Sequence, residues 1–144
     1  MTVKFESMVT WELELDRLRC NPSFYGRPRY DTILYMTDKG AAFGKLVYAF
    51  VCQVKEERFG IAYVQGLDAG VGTRGKRKDR ELGLYRLRAK PRSQCEFIPV
   101  EAIVRGALVV DNPNDHEEYF VVDTVDQDMF VRIMELHRLR FSDA

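Results

Sequence analysis

The stretch FGKLVYAFVCQVKEERFGIAYVQGL, residues 43–67, predicts the centre of the fold. It holds two runs rich in β-branched and aromatic residues, 43–54 and 58–67, on either side of the polar tripeptide 55–57. This arrangement is typical of a β-hairpin, although the tripeptide lacks the glycine that a tight three-residue loop usually carries. We therefore expect a β-sheet to be organised around this hairpin.

Further strands are predicted on both sides of the hairpin. Residues 82–89 alternate apolar and polar side chains, as a strand with one buried face does. Pro99 favours an edge or a corner of the sheet, because proline cannot donate a hydrogen bond to a central ladder. Strand-like composition also marks residues 31–37, 95–110 and 119–125.

The first 30 residues give a weaker signal. Residues 8–19 fit a strand with Trp11, Leu13 and Leu15 on one face, and they also fit a helical stripe. The strand is the favoured interpretation. Residues 20–30 contain two prolines and a glycine and predict a loop.

The end of the chain changes to helical spacing. Apolar residues over 126–140 recur as on one face of a helix, and Asp126 or Asp128 can cap its start. The 144 residues suit one domain, with an N-terminal strand and loop over 1–30 and a β core over 31–125. The predicted fold class is mainly β, a small bent sheet or a partly open β-barrel followed by a C-terminal α-helix.

Composition places the chain among folded globular proteins, since 46% of its residues are apolar and 12% are aromatic. No apolar run approaches the length of a membrane span, so no membrane partner is expected. The cysteines Cys20, Cys52 and Cys95 form no CxxC pair, which excludes a local zinc knuckle or redox motif. The N-terminus lacks the pattern of a secretion signal, so an intracellular location is expected.

The net charge of zero conceals two blocks of opposite sign. Residues 74–92 hold nine basic residues and two acidic ones, whereas residues 111–128 hold seven acidic residues and no lysine or arginine. Basic side chains on an exposed loop can contact phosphates and release counterions from nucleic acid. The residues predicted to bind nucleic acid in this way are Arg74, Lys76, Arg77, Lys78, Arg80, Arg86 and Arg88.

Other interpretations of the basic block stay open. The same composition is found in nuclear import signals and in plain solvated loops. The neutrality of the whole chain weakens the nucleic-acid interpretation, because domains that bind nucleic acid alone are usually basic overall. The opposed blocks also allow a homo-oligomer, in which the basic face of one copy meets the acidic turn of the next.

Catalytic motifs are absent from the sequence. It contains no GxSxG, HExxH, P-loop or GxGxxG pattern. Its two histidines are His116, in an acidic segment, and His137, on the predicted helix. Neither has an obvious catalytic partner, so we expect no enzyme activity and no cofactor.

Clustered carboxylates leave one catalytic alternative. Asp123, Asp126 and Asp128 could hold divalent metal ions for phosphoryl transfer, as in a nuclease remnant, if Asp31 or Asp68 joined them. An acidic loop that caps the last helix is the simpler interpretation.

Aromatic residues are numerous, and four tyrosines lie in strand-like segments. A cage for a methylated lysine would need three aromatic side chains to converge around the cation. The sequence shows no such convergence, so we expect positions in the core or at its rim. The four tyrosines are Tyr35, Tyr48, Tyr63 and Tyr85.

The order of several motifs resembles two known families. PSFYGRPRYDTILYM, KLVYAFVCQV, IAYVQGLDA, ELGLYRLRAKPRSQCEFIPVEAIVRGALVV and EYFVVDTVDQDMFVRI together look like the C-terminal module of proteins encoded by fungal transposons of the KDZ and Plavaka types. YDTILYM, GKLVYAF, IAYVQGL, ELGLYR and FIPVEAIVRGALVV are also similar to segments of bromo-adjacent homology domains. Gln65 stands where that second family commonly has tryptophan.

These resemblances imply a bent β fold and a binding role rather than a reaction. The transposase chemistry of the first family lies outside the matched module, and the second family binds chromatin proteins. The predicted function is a non-enzymatic interaction module, derived from a transposon, that docks a protein or chromatin partner in the nucleus. The alternatives are an accessory domain that binds nucleic acid through residues 74–92, and the nuclease remnant.

Overall fold

The computed structural model of the protein describes residues 1–67 and 83–141. Over these residues the chain forms β-strands with a single α-helix at the end, so the predicted mainly β class with a C-terminal helix is confirmed. In chain order the elements are β1 (Thr2–Glu6), β2 (Leu13–Arg17), β3 (Cys20–Phe24), β4 (Arg27–Tyr30), β5 (Thr32–Thr37), β6 (Gly40–Val54), β7 (Glu57–Gly66), β8 (Tyr85–Arg88), β9 (Glu96–Pro99), β10 (Ile103–Ala107), β11 (Val109–Asn112), β12 (Asp115–Val121) and α1 (Gln127–Phe141).

The predicted hairpin supplies two strands of a central antiparallel sheet, in which the strand order is β10-β5-β6-β7-β9. The turn between β6 and β7 consists of Lys55 and Glu56, rather than the predicted three residues. Lys55 takes the positive φ of 58° that a tight hairpin turn needs, which is why no glycine is required there. β9 lies at the edge of the sheet, as Pro99 predicted.

Smaller sheets surround the central one: a three-stranded sheet in the order β11-β12-β8, and the hairpins β1-β2 and β3-β4. The β3-β4 hairpin corrects the prediction of a loop over residues 20–30. Its turn residues Tyr25 and Gly26 have φ angles of 50° and 78°, as a two-residue hairpin turn demands. The prolines are tolerated because both strands of an isolated hairpin are edge strands.

The favoured strand near the N-terminus is confirmed over Leu13–Arg17, as β2, in which Leu13 and Leu15 share one face, whereas Trp11 precedes the strand with a φ angle of 61°. That face points to solvent, however, since Leu13 is 74% exposed and Leu15 is 62% exposed. The opposite face carries Asp16, whose Oδ2 accepts a hydrogen bond of 2.8 Å from the backbone N–H of Gly106. This polar anchor, rather than the leucines, sets the orientation of the strand.

Both faces of the central sheet are covered at one end. On one face, Ile33, Tyr35 and Leu46 belong to a core that also includes Leu18 from the N-terminal region. On the other face, Phe43 and Leu67 belong to a second core with side chains of β8, β12 and α1. The smaller sheets and the helix therefore cover only the first part of β6 and the last part of β7.

Helix α1 starts where the sequence predicted. The Oδ1 atom of Asp126 accepts a hydrogen bond of 3.0 Å from the backbone N–H of Met129, so Asp126 is the capping residue. Met129 and Ile133 pack into the second core. None of the sheets formed by residues 1–67 and 83–141 closes on itself, which agrees with the small bent sheet rather than the partly open barrel. Within the same ranges, no helix has the length and apolar character of a membrane span.

Candidate functional site

The predicted nucleic-acid residues fall into two groups. Arg74, Lys76, Arg77, Lys78 and Arg80 lie outside the described residues. Arg86 and Arg88 lie on β8, next to the acidic strand β12.

Arg86 and Arg88 are engaged within the chain. Nη2 of Arg86 lies 2.8 Å from Oε1 of Glu118, and Nη1 of Arg88 lies 3.0 Å from Oδ2 of Asp115. Arg88 also contacts Glu117 through Nη2 at 3.1 Å. The pKa of Asp115 is lowered, first by the backbone N–H of Glu117 and then by Arg88. Parts of the two charge blocks thus neutralise each other inside one molecule, which leaves less charge for phosphate or for a second copy.

The carboxylates of the predicted metal cluster are also held by arginine. Arg105 is 7% exposed at its side chain and donates from Nη1 to Oδ2 of Asp128 at 2.7 Å and to Oδ1 of Asp126 at 3.2 Å. Burial raises the pKa of both aspartates, but hydrogen bonds from Arg105, from Arg132 and from backbone N–H groups outweigh it and leave both pKa values lowered.

The part of the chain that the structure describes holds no group of metal ligands around these acids. Among residues 1–67 and the described part of 83–141, no three His, Cys, Asp or Glu side chains are grouped as metal ligands would be. Asp68 lies outside the described residues, and so does the side chain of His137, whereas His116 is exposed on β12. Arg105 occupies the place that a cation would take between Asp126 and Asp128.

An aromatic surface lies on the uncovered part of the central sheet. On β6, β7 and β9, the side chains directly across from one another form rows on one face. One row is Tyr48, Tyr63 and Phe97, and the next contains Phe50 and Ile61. Phe59, paired with Cys52, extends the same face. We call this surface the aromatic face, and its members are Tyr48, Phe50, Phe59, Ile61, Tyr63 and Phe97.

The rings of the aromatic face are continuous with one another. The ring centroids of Tyr48 and Phe50 lie 5.7 Å apart, those of Phe50 and Phe97 lie 6.2 Å apart, and those of Tyr63 and Phe97 lie 4.7 Å apart. Tyr48 is 58% exposed and Phe97 is 66% exposed. Contiguous exposed apolar surface of this kind marks interaction sites in folded proteins. The rings contact one another in series, stacked for Tyr48 and Phe50, edge to face for Phe50 and Phe97 and tilted for Tyr63 and Phe97, so these four rings do not form a cage.

A β-bulge places Lys45 on the same side of the sheet as the aromatic face. The register of β6 against β7 shifts between Leu46 and Tyr48, which leaves Val47 as the extra residue. Lys45, which pairs with Gln65, therefore shares a face with Tyr48 although the two are three residues apart. Without the bulge, period-two alternation would place Lys45 and Tyr48 on opposite faces of the sheet.

The Lys45–Gln65 pair borders a groove beside the three-stranded sheet. One cavity of about 250 Å³ is lined by Lys45, Tyr63, Gln65, Arg92 and Cys95, among other residues. A second cavity of about 590 Å³ shares Lys45, Gln65 and Arg92 and adds Arg88 and Lys90. We call these two cavities together the cationic groove. Tyr63 lines the first of these cavities and also belongs to the aromatic face.

Tyr63 stays protonated at this junction. Its pKa is raised, first by burial and then by the neighbouring Cys95 thiol. The hydroxyl group therefore remains an O–H donor at neutral pH. The chain thus offers an apolar surface, a hydrogen-bond donor and a set of cations side by side.

Sequence reasoning placed Tyr48 and Tyr63 in strands but did not bring them together with Phe50 and Phe97. The signal was present in part, because large apolar residues recur at alternate positions in YAF (48–50) and in FGIAY (59–63). The sequence does not predict that these side chains lack a covering strand or helix among the described residues. That property depends on where strands distant in the chain end.

Comparisons of the chain with protein-family models, with curated proteins and with solved structures found no match.

Proposed function

We propose that the chain is a non-enzymatic interaction module that docks a protein partner on the aromatic face. The observation that carries this proposal is the continuous set of four rings, Tyr48, Phe50, Phe97 and Tyr63, on a part of the sheet that no described strand or helix covers. Aromatic side chains are enriched at the centres of protein interfaces, where they supply large contact areas at a low entropic cost.

The packing of the rings favours a protein over a single-stranded nucleic acid. Bases bind to such surfaces by stacking on free ring faces. The rings of Tyr48 and Phe50 are stacked with planes 29° apart, and those of Tyr63 and Phe97 are tilted by 34°, so each ring already packs against a neighbouring ring. The exposed parts of the rings are available to apolar side chains of a partner.

The chain's resemblances to a transposon-encoded module and to a chromatin-binding domain agree with a docking role. A partner in chromatin and a nuclear location are further parts of the proposal. They are independent of the aromatic face, and locating the tagged protein in cells tests the second of them directly.

Selection from a library of displayed random peptides tests the docking proposal. Peptides of about twelve residues, long enough to cross the aromatic face in an extended conformation, would be selected on the native chain. We expect the binders to lose roughly thirtyfold in affinity when Phe50 and Phe97 are both changed to Ser, as loss of interface hot spots does.

The matched control is the double variant Leu13→Ser and Leu15→Ser, which removes exposed apolar side chains from a different sheet. It should leave peptide affinity unchanged. The proposal would be contradicted if the selection yielded no binders, or if the selected peptides kept their affinity when Phe50 and Phe97 were changed. Circular dichroism of each variant separates lost binding from lost folding.

A further inference from the structure

We infer that the docked segment is acidic at one end and apolar at the other, with its carboxylates in the cationic groove and its apolar side chains on the aromatic face. This inference rests on the proposed function and adds the chemistry of the partner. It depends on one geometric fact, which is that the groove and the aromatic face meet at Tyr63.

The charges of the groove select the sign of the partner. Within its lining, Arg88 is paired with Glu117 at 3.1 Å. Lys45 and Arg92 add two further cations that pair with no carboxylate of the described residues, and Glu117 is the only carboxylate in the described lining. A ligand that enters this groove therefore meets an excess of positive charge, which attracts carboxylates and repels cations.

Two of these cations are well placed for a partner. Arg92 is exposed in a short 3₁₀ turn, and it forms no ion pair with any side chain of the described residues. Lys45 lies over the ring of Tyr119, with Nζ 5.2 Å from its centroid, and donates to the Tyr119 hydroxyl at 3.4 Å. That contact fixes the ammonium group at the groove without neutralising it.

The dimensions set the length of the segment. From the Cys52–Phe59 pair to the Lys45–Gln65 pair, β6 advances seven residues, roughly 20 Å at the rise of a strand. An extended peptide of about six or seven residues covers this distance. Apolar side chains at alternate positions would contact the rows of the aromatic face, and acidic ones would follow beyond Tyr63.

Three synthetic peptide pools test the inference. Each peptide has one half that alternates Ser with Leu, Ile, Val or Phe, and a second half restricted to Asp, Glu and Ser, to Asn, Gln and Ser, or to Lys, Arg and Ser. Fluorescence polarisation would report binding of each labelled pool to the full chain. At low salt we expect the acidic pool to bind roughly tenfold more tightly than the neutral one, and the basic pool to bind least.

Charge variants locate the preference. Arg92→Gln, and separately Lys45→Met, should each reduce the affinity for the acidic pool about threefold to tenfold and leave that for the neutral pool unchanged. The matched control is Arg58→Gln, an exposed arginine on β7 whose neighbour Phe59 belongs to the aromatic face. It should change neither affinity.

The outcomes distinguish the two proposals. Equal affinities for the acidic and neutral pools, both lost with Phe50→Ser and Phe97→Ser, would overturn the acidic partner and keep the docking function. No binding of any pool, or binding indifferent to the two phenylalanines, would overturn both. Tighter binding of an oligothymidylate, weakened by Arg92→Gln and by salt, would also overturn both and assign the surface to single-stranded nucleic acid.

Discussion

Arg105 and Asp128 form a buried ion pair in which Nη1 of the arginine lies 2.7 Å from Oδ2 of the aspartate. The two side chains are 7% and 5% exposed. Asp128 also accepts hydrogen bonds from the backbone N–H of Met8 at 2.6 Å and from Nε of Arg132 at 2.8 Å. One carboxylate therefore joins the N-terminal hairpin, the central sheet and the helix.

Replacing Asp128 by Asn should destabilise the fold by about 3 kcal/mol, because it leaves the Arg105 guanidinium buried with fewer anionic partners. Urea unfolding followed by circular dichroism measures the loss. Asp111→Asn, at an exposed position on β11, is the control and should change stability by less than about 0.5 kcal/mol. Equal effects of the two variants would show that the ion pair contributes nothing to stability.

The same aspartates predict a loss of stability in acid. The pKa values of Asp126 and Asp128 are lowered in the folded state, where arginine and backbone donors outweigh burial. The unfolded chain therefore binds protons at a higher pH, near the ordinary aspartate pKa of about 3.9. Their contribution is complete above that pH and disappears as the pH falls through the lowered values.

Urea midpoints measured from about pH 7 to pH 3 test this dependence. The native chain should keep a constant midpoint down to about pH 5 and then lose stability steeply. Asp128→Asn should show a shallower fall, since one of the carboxylates with a lowered pKa is gone. A variant profile parallel to that of the native chain would contradict the assignment.

Local signals explain which parts of this fold the sequence predicts. The hairpin over 43–67 and the helix over 126–140 are predictable because a period of two or of 3.6 and a capping residue are properties of neighbouring residues. The prediction of a loop over 20–30 is wrong, because prolines and glycine are compatible with a hairpin as well as with an irregular loop. Tyr25 and Gly26 instead form a turn that fixes a hairpin.

The candidate site depends on relations that no short stretch of sequence contains. Two of the arginines predicted to bind nucleic acid, Arg86 and Arg88, form ion pairs with acids that are 27 to 32 residues distant in the chain. No glycine marks the bulge at Val47, so the sequence pattern does not predict that Lys45 and Tyr48 lie on the same face of the sheet. The sequence therefore predicts the strands that carry the aromatic side chains, but it does not predict that these side chains are exposed.

A close approach at Gly60 predicts a coupled pair of substitutions. A Cβ atom at Gly60 would lie 2.5 Å from Cγ2 of Val100, which is much closer than van der Waals contact, and all of its near neighbours belong to Val100. Gly60→Ala should therefore cost about 1–3 kcal/mol, because valine is stiff and cannot turn aside.

The double variant Gly60→Ala with Val100→Ala checks this cause. Removing the valine methyl groups relieves the clash, so the two unfolding free-energy changes should not add, and their coupling should reach about 1 kcal/mol. Additive changes would mean that the contact with Val100 is not the cause of the loss at Gly60.

Adjacent glutamates on β12 test the value of burial for an ion pair. The side chain of Glu118 is 9% exposed and accepts from Arg86, whereas that of Glu117 is 67% exposed and accepts from Arg88. Glu118→Gln should lower the unfolding free energy by about 2 kcal/mol, and Glu117→Gln by less than about 0.5 kcal/mol. Similar losses from both substitutions would contradict the assigned difference in burial.

Two neighbouring residues on β9 have different predicted roles: Ile98 stabilises the fold, and Phe97 is available to bind a partner. Ile98 is 8% exposed and packs into the core, whereas Phe97 is 66% exposed and its ring contacts those of Phe50 and Tyr63. Ile98→Ala should cost about 2–4 kcal/mol, because it leaves a cavity. Phe97→Ala should cost about 1 kcal/mol or less, the value of cross-strand ring contacts. Urea unfolding of both variants makes the comparison, and a loss at Phe97 as large as that at Ile98 would show that the aromatic face is retained for folding rather than for a partner.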